Sequence, residues 1–337
     1  MSVTKNLLLA CAAAVLTAPL LTACGGDDGP SITVYNAQHE ELLAEVAPLF
    51  EEETGIEVKL RSGEDLELAN QLVQEGDASP ADVFLTENSP AMSLVGNAGL
   101  FTEVDQETLD LIPPDFVPAD KKWIGFMGRS TVAMYNTDAL SAKDMPDSIL
   151  NFADPEWAGR ISYSPTGADF QAIVSAVLEL EGEDATRKWL EGLADNGTEY
   201  DGNDVVLESV NSGEVDAGIA YHYYWYRDQK EAGDNSDNTE LHFFGDQDPG
   251  AFVSVSGAGV LASSDKQTNA QKFVNFLADA QGQQAIADSY ALEYPLNPEV
   301  SLDPPVRPFA ELEPPRIDVA TLNSEPVTEL MQEEGLL

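Results

Sequence analysis

Four phenols, one imidazole and one indole fall within the seven residues Ala220-Tyr221-His222-Tyr223-Tyr224-Trp225-Tyr226. Tyr and Trp join a large apolar surface to a polar tip, so the plain alternative is an aromatic core segment. Successive side chains alternate faces along a strand, and i and i+1 do not face each other along a helix. Two adjacent phenols therefore converge only where the backbone turns, at a loop or in the first turn of a helix. The preceding Val215-Asp216-Ala217-Gly218-Ile219 reads as a short buried strand, and Arg227-Asp228-Gln229-Lys230-Glu231 reads as helix. This places the phenols at a strand-to-helix junction, where open α/β sheets bind ligands. Tyrosinate is a hard oxygen donor with an unperturbed pKa near 10, so only a strongly acidic metal ionises it near neutral pH. Ferric iron is the expected cargo, and the remaining ligands must come from elsewhere in the chain.

The elements around this junction follow a βα rhythm. Ser31-Ile32-Thr33-Val34-Tyr35 reads as a first strand ending at Asn36-Ala37-Gln38-His39, and Glu40–Glu53 as a helix, with a bend expected at Pro48. Ile56–Leu60 alternates as a strand, Glu64–Gln74 reads as helix, and Asp82-Val83-Phe84-Leu85 as a short buried strand ending at Thr86-Glu87-Asn88. Such βαβαβ order specifies a parallel sheet covered by helices. Trp123–Phe126 and Thr131–Tyr135 read as longer strands passing between two lobes. A second βα series runs through Arg160–Tyr163, Phe170–Leu180, Ala185–Leu193 and Val205–Ser212. Phe252–Val255 reads as a strand returning to the first lobe, followed by helix Asn269–Ala278, a Pro-rich stretch and a last helix near Val327–Glu334.

Composition narrows the function classes. The chain has 337 residues, enough for one large or two medium domains. Its 60 acids against 16 bases give a net charge of −44, a surface that repels nucleic acid. Residues 1–23 carry Lys5 and then an uncharged apolar run from Leu7 to Leu21, too short and Ala-rich for a span and suited to a signal peptide. Leu21-Thr22-Ala23-Cys24-Gly25 resembles the bacterial lipobox, which implies lipid on Cys24. The other cysteine, Cys11, lies in the leader, so no disulfide or thiolate chemistry is expected. Residues 25–30 read as a flexible polar tether. The expected location is the outer face of the cell membrane, held there by lipid alone.

Several spans together resemble the bacterial ferric-ion-binding protein family, the iron(III) substrate-binding proteins of ABC transporters. They are Ile32–His39, Glu53-Thr54-Gly55-Ile56, Pro80–Glu87, Tyr223-Tyr224-Trp225-Tyr226 and Gln247-Asp248-Pro249-Gly250-Ala251. The resemblance covers the chain from about Ser31 to its end and implies a type II periplasmic-binding-protein fold: two α/β lobes, each a mixed, mostly parallel sheet flanked by helices, joined by crossover strands. On this reading residues 1–23 are the leader and 24–30 the lipidated Cys24 and tether. Lobe 1 is then 31–128 plus 252–300, and lobe 2 is 129–251 plus 301–337. A monomer delivering iron to a membrane permease is implied.

Carried over residue by residue, the family's iron ligands fall on His39, Glu87, Tyr223 and Tyr224. Each has a plain alternative, since a His at a strand end or a lone Glu is usually solvated. Their joint appearance at three strand mouths supports the ligand set. One carboxylate and two phenolates balance Fe(III), with imidazole as the neutral fourth donor. Zinc would draw on Cys or further His. The resemblance also implies a synergistic anion, phosphate or carbonate, at the open positions. Thr166-Gly167-Ala168 resembles the family's Ser-Gly-Ala anion loop and precedes a predicted helix, Asn203 matches an anion-contacting Asn, and Asn88 stands where Gln is common. Asp169, directly after the loop, would repel an anion. Arg129 is expected to offset local negative charge, and His222 to stand behind the ligands.

Two other function classes compete. The same fold can take an organic or oxyanion solute, with the tyrosines stacking on it. A secreted hydrolase is disfavoured: neither Gly-x-Ser-x-Gly nor His-Glu-x-x-His occurs, and the chain has three His. No catalysis is expected.

Overall fold

The computed structural model describes residues 29–303 and 305–337. The expected leader, Cys24 and most of the tether lie outside the described residues. Among those described, ten strands order as β2-β1-β3-β9-β4-β7-β5-β6, with β8 and β10 paired to β4. They are β1 Ser31–Asn36, β2 Glu57–Ser62, β3 Val83–Leu85, β4 Trp123–Asn136, β5 Ile161–Tyr163, β6 Thr198–Glu199, β7 Ala217–Tyr221, β8 Thr239–His242, β9 Val253–Val260 and β10 Tyr294–Pro295.

β1 is parallel to β2 and β3, and β5 is parallel to β6 and β7, as the βα rhythm requires. The two parallel sets are joined through antiparallel strands. β4 pairs with β9 over Trp123–Ser130 and with β7 over Thr131–Tyr135. The two strands expected at 123–126 and 131–135 are thus one continuous 14-residue strand, with a register shift between Gly125 and Met127. A wholly buried strand of this length ties the two halves of the sheet together. Two large apolar clusters lie on either side of this join. One gathers Ile32, Val34, Val83, Phe84 and Val255, and the other Ile161, Tyr163, Ile219, Phe170 and Trp189. The tail serves both: Val306, Leu312 and Val319 pack in the first, and Leu322, Val327 and Met331 in the second.

The helices that matter to function start at strand ends. α1 is Glu40–Thr54, burying Leu42, Leu43, Val46, Ala47 and Phe50 and closed by Gly55 in the left-handed region. It continues through Pro48. α2 (Asp65–Glu75) and α3 (Ser89–Asn97) follow β2 and β3. α4 (Gln106–Leu109) is a single turn. α5 (Ala168–Glu181), α6 (Glu183–Asn196) and α7 (Asn203–Asn211) cover the second half-sheet. α8 (His222–Glu231) begins directly after β7, five residues before the helix expected at Arg227. α9 (Gln267–Ala278), α10 (Ala280–Asp288) and α11 (Ser324–Glu333) complete the set.

One glycine fixes how β3 meets β9. The Gly257 amide donates to Thr86 Oγ1 at 3.1 Å, while its carbonyl accepts from the Thr86 amide at 3.0 Å. A Cβ on Gly257 would stand 2.2 Å from Met92 Cγ. Gly257→Ala is therefore expected to destabilise the fold by about 1–3 kcal/mol, the ordinary cost of overpacking. Urea unfolding checks this: the midpoint should fall while the slope stays unchanged.

Candidate functional site

Three chain turns bring the predicted ligands together. His39 occupies the N-cap of α1, after the end of β1, and its side chain keeps 23% exposure. Glu87 follows β3, and its loop is pinned from below. The Glu87 and Asn88 amides donate to the two carboxylate oxygens of buried Asp65, at 2.8 and 2.9 Å. Burial of Asp65 pushes its carboxyl up to about 7, although these amides favour the charged form. Tyr223 and Tyr224 are the second and third residues of α8, so the phenols converge in a first helical turn. Their rings stack with centroids 4.2 Å apart.

The distances form a connected series. His39 Nε2 lies 3.6 Å from Glu87 Oε1. The Tyr223 hydroxyl donates to Glu87 Oε1 at 3.4 Å and to Asp169 Oδ2 at 3.4 Å, and the Tyr224 hydroxyl donates to the same Asp169 oxygen at 3.0 Å. Ligands bound about 2.0–2.2 Å from one octahedral ion lie roughly 3 Å from their neighbours, so the spacing needs only small adjustment to surround a cation. Among the described residues no group of three or more His, Cys, Asp and Glu is arranged to hold a metal; here two phenols stand beside His39, Glu87 and Asp169.

Asp169, expected to repel an anion, itself occupies the place where the anion was expected. It lies in the first turn of α5, where the helix dipole favours a carboxylate, and it is buried. Its oxygens accept from Asn88 Nδ2 at 3.2 Å and Asn203 Nδ2 at 3.0 Å, besides both phenols. Asn88 and Asn203, expected to contact a synergistic anion, thus hold a carboxylate of the chain itself. Thr166, Gly167 and Ala168 lead into the helix that carries it, with Gly167 as N-cap. The signal was the position of Asp169 directly after that loop.

Arg129 and His222 have distinct surroundings. Arg129 is fully buried on β4, with Nη1 2.9 Å from Glu87 Oε1, Nη2 donating to Ser256 Oγ at 3.1 Å, and its guanidinium over the Tyr221 ring. His222 accepts the Ser130 amide at Nδ1, 3.2 Å away, and stacks on Tyr294 at 4.5 Å. Burial holds it neutral, with its pKa lowered to about 3.

Burial and mutual repulsion dominate the electrostatics of the cleft. Burial pushes Glu87 up to about 8; Asp169 adds to the effect, and Arg129 opposes it. Burial and then the Asp169 charge raise both Tyr223 and Tyr224 well above the usual phenol range. For His39 burial opposes the charged form, but the Glu293 and Glu87 carboxylates hold its pKa above the ordinary value. Outside His39 and Glu87 lies a cleft of about 240 Å³ bordered by Glu40, Glu41 and Glu64.

Comparison with known proteins agrees with this geometry. Residues 78–316 match the family described as bacterial extracellular solute-binding protein. The chain is 50% identical over 315 residues to the Fe(3+)-binding periplasmic protein of Serratia marcescens, covering 94% of this chain and 93% of that protein. It is 42% identical over 301 residues to the major ferric iron-binding protein of Neisseria meningitidis serogroup B, covering 89% and 85%. Iron-bound HitA from Pseudomonas aeruginosa superposes with a TM-score of 0.85 at 40% identity, over 91% of this chain and all of that one. The architecture is accordingly that of the two-lobed periplasmic binding proteins, and these relatives bind a solute without transforming it, so the chain is not an enzyme. It belongs to the bacterial extracellular solute-binding proteins and, among them, to the ferric-ion-binding family.

Proposed function

We propose that this protein captures ferric iron in the cleft between its lobes and hands it to the permease of an ABC transporter for uptake. The observation that carries the reading is the meeting of His39, Glu87, Tyr223 and Tyr224, from three separate chain turns, in one series of contacts of 3.0–3.6 Å closed by Asp169. Two phenolates and two carboxylates with one neutral imidazole suit a hard trivalent ion. In this reading the Asp169 carboxylate takes the place of phosphate or carbonate. An oxyanion solute is disfavoured for the same reason, since the Asn88 and Asn203 amides that would bind it are already engaged.

The supporting context is extracytoplasmic. Residues 1–23 act as leader, and lipid on Cys24 anchors a monomer to the outer face of the membrane through the tether. No helix among the described residues is long and apolar enough to cross a membrane. The lobes divide as 31–128 plus 252–300 and 129–251, and the tail 301–337 is shared, with Val306, Leu312 and Val319 on the first and Leu322, Val327 and Met331 on the second.

Titration of the purified protein with a ferric chelate tests the reading. One equivalent should raise a visible phenolate-to-iron charge-transfer band, lost or strongly weakened in Tyr223→Phe and Tyr224→Phe. A colourless protein would overturn it. Because both phenols are protonated before the metal arrives, binding releases protons. The logarithm of ferric affinity should therefore rise with pH by at least about three per unit between pH 5 and 7, one for each phenol proton and one for the Glu87 carboxyl proton displaced, and more steeply toward pH 5, where His39 also gives up a proton. Competition against a chelator of known protonation measures this, and a flat profile would contradict ligation by both phenols. Asp169→Asn should lose more than the roughly 10–100-fold that an outer partner of a metal ligand is worth. Added phosphate should restore part of that loss in the variant and leave the native protein unchanged. Affinity of the native protein that climbs with phosphate would contradict the role given to Asp169.

A further inference from the structure

Behind the ligands lies a fully buried ion pair that the ligand set does not include. Arg129 sits where β4 passes from its pairing with β9 to its pairing with β7, and Glu293 immediately precedes β10, whose Tyr294 pairs with Gly128. Both side chains are 0% exposed, and Arg129 Nε stands 3.5 Å from Glu293 Oε2. The other end of the guanidinium reaches Glu87 at 2.9 Å. Glu293 Oε1 lies 3.5 Å from His39 Nε2, the nitrogen that also faces Glu87. One carboxylate thus addresses one ligand directly and, through Arg129, the group that grips another.

Glu293 is held by its backbone rather than by a hydrogen-bond network. Neither of its oxygens has a hydrogen-bond partner of good geometry among the described residues. Instead Leu292 adopts φ 55°, a left-handed conformation costly for a leucine, and Tyr294 is clamped between its pairing to β4 and its stack on His222. A strained turn that delivers an acid into a dry interior implies a use for that acid.

We propose that Glu293 is a positioning residue for the iron site: before the metal arrives its carboxylate attracts the Nε2–H of His39, which keeps the ring beside Glu87, and it offsets Arg129, so that the guanidinium grips Glu87 without repelling the arriving cation. The inference rests on the ferric reading of the cleft. A lone guanidinium this close to a ligand carboxylate would cancel most of the charge that carboxylate offers a metal, because a dry site screens little. Shared with Glu293, the guanidinium becomes part of a neutral pair, and Glu87 keeps its charge for the ion.

Ferric affinity and the electron paramagnetic resonance line shape of bound iron, in Glu293→Gln, Glu293→Asp, His39→Ala and the His39→Ala/Glu293→Gln double variant, test this. Glu293→Gln should bind about 10–100-fold more weakly, the usual worth of a group that orients a metal ligand. Its charge-transfer band should persist, because the tyrosines are untouched, while the resonance line shape changes as His39 and Glu87 reorient. Glu293→Asp should recover part of the affinity. The losses from His39→Ala and Glu293→Gln should be less than additive, since one acts partly through the other. Native affinity and line shape in Glu293→Gln, or strictly additive losses, would overturn the inference. If Glu293→Gln does not fold, Glu293→Asp decides: a folded variant with an altered line shape supports the role, and an unaltered one refutes it. Native protein that binds no iron would overturn the ferric reading and this inference with it; native protein that binds iron beside an unaffected variant would overturn this inference alone.

Discussion

Two carboxylates, Glu87 and Asp169, are drawn out of water side by side, both against phenols, with one guanidinium, Arg129, behind Glu87. In the dry cleft the charges are tolerable because Tyr223 and Tyr224 donate protons to them and Arg129 grips Glu87 from behind. The phenol protons stand where a cation would act. On the function proposed above, replacing them with one trivalent ion would convert two hydrogen-bond donors into two anionic ligands and relieve the repulsion between the carboxylates at once. The rise of the Glu87 and tyrosine pKa values expresses the same crowding of acidic groups in a dry interior. On the same reading, protonation of the ligands or reduction of the ion would each weaken this balance, a chemical route for release.

The scaffold divides that charge between its halves. His39 and Glu87 stand on loops of β1 and β3, in the half-sheet that β9 completes, whereas Asp169 and the tyrosines stand on the first turns of α5 and α8 over β5 and β7. β4 belongs to both, so the site is built across the strand that joins the halves. An ion held by groups from both sides ties the lobes together more firmly than hydrogen bonds between neutral phenols and carboxylates do. Helix starts supply the second half because their amides and dipole tolerate negative charge, as Asp169 shows at the start of α5.

Local patterns carried much of this. The alternation of strands with amphipathic helices specified the parallel sheet sets, and the adjacency of Tyr223 and Tyr224 demanded a turn, which the start of α8 provides. What the sequence hid lay in long-range pairing. Met127-Gly128-Arg129-Ser130 has no strong strand propensity, yet it is extended because Val253–Ser256 of β9 lies alongside. Asp169 reads locally as an acid that spoils an anion loop; that its carboxylate accepts from Asn88 and Asn203, 81 and 34 residues away, is visible only in the fold. Glu293 is a lone acid in Leu292-Glu293-Tyr294-Pro295, and its partner Arg129 is fixed by the antiparallel return of β10 to β4, a pairing no local period encodes.

Diffraction from crystals grown with ferric iron, recorded on both sides of the iron absorption edge, addresses the central claim most directly. The account predicts one strong anomalous peak per chain, about 2 Å from donor atoms of His39, Glu87, Tyr223, Tyr224 and Asp169, with no separate phosphate or carbonate between Asn88 and Asn203. A peak elsewhere, or an external anion bridging those amides to the metal with Asp169 turned away, would contradict it.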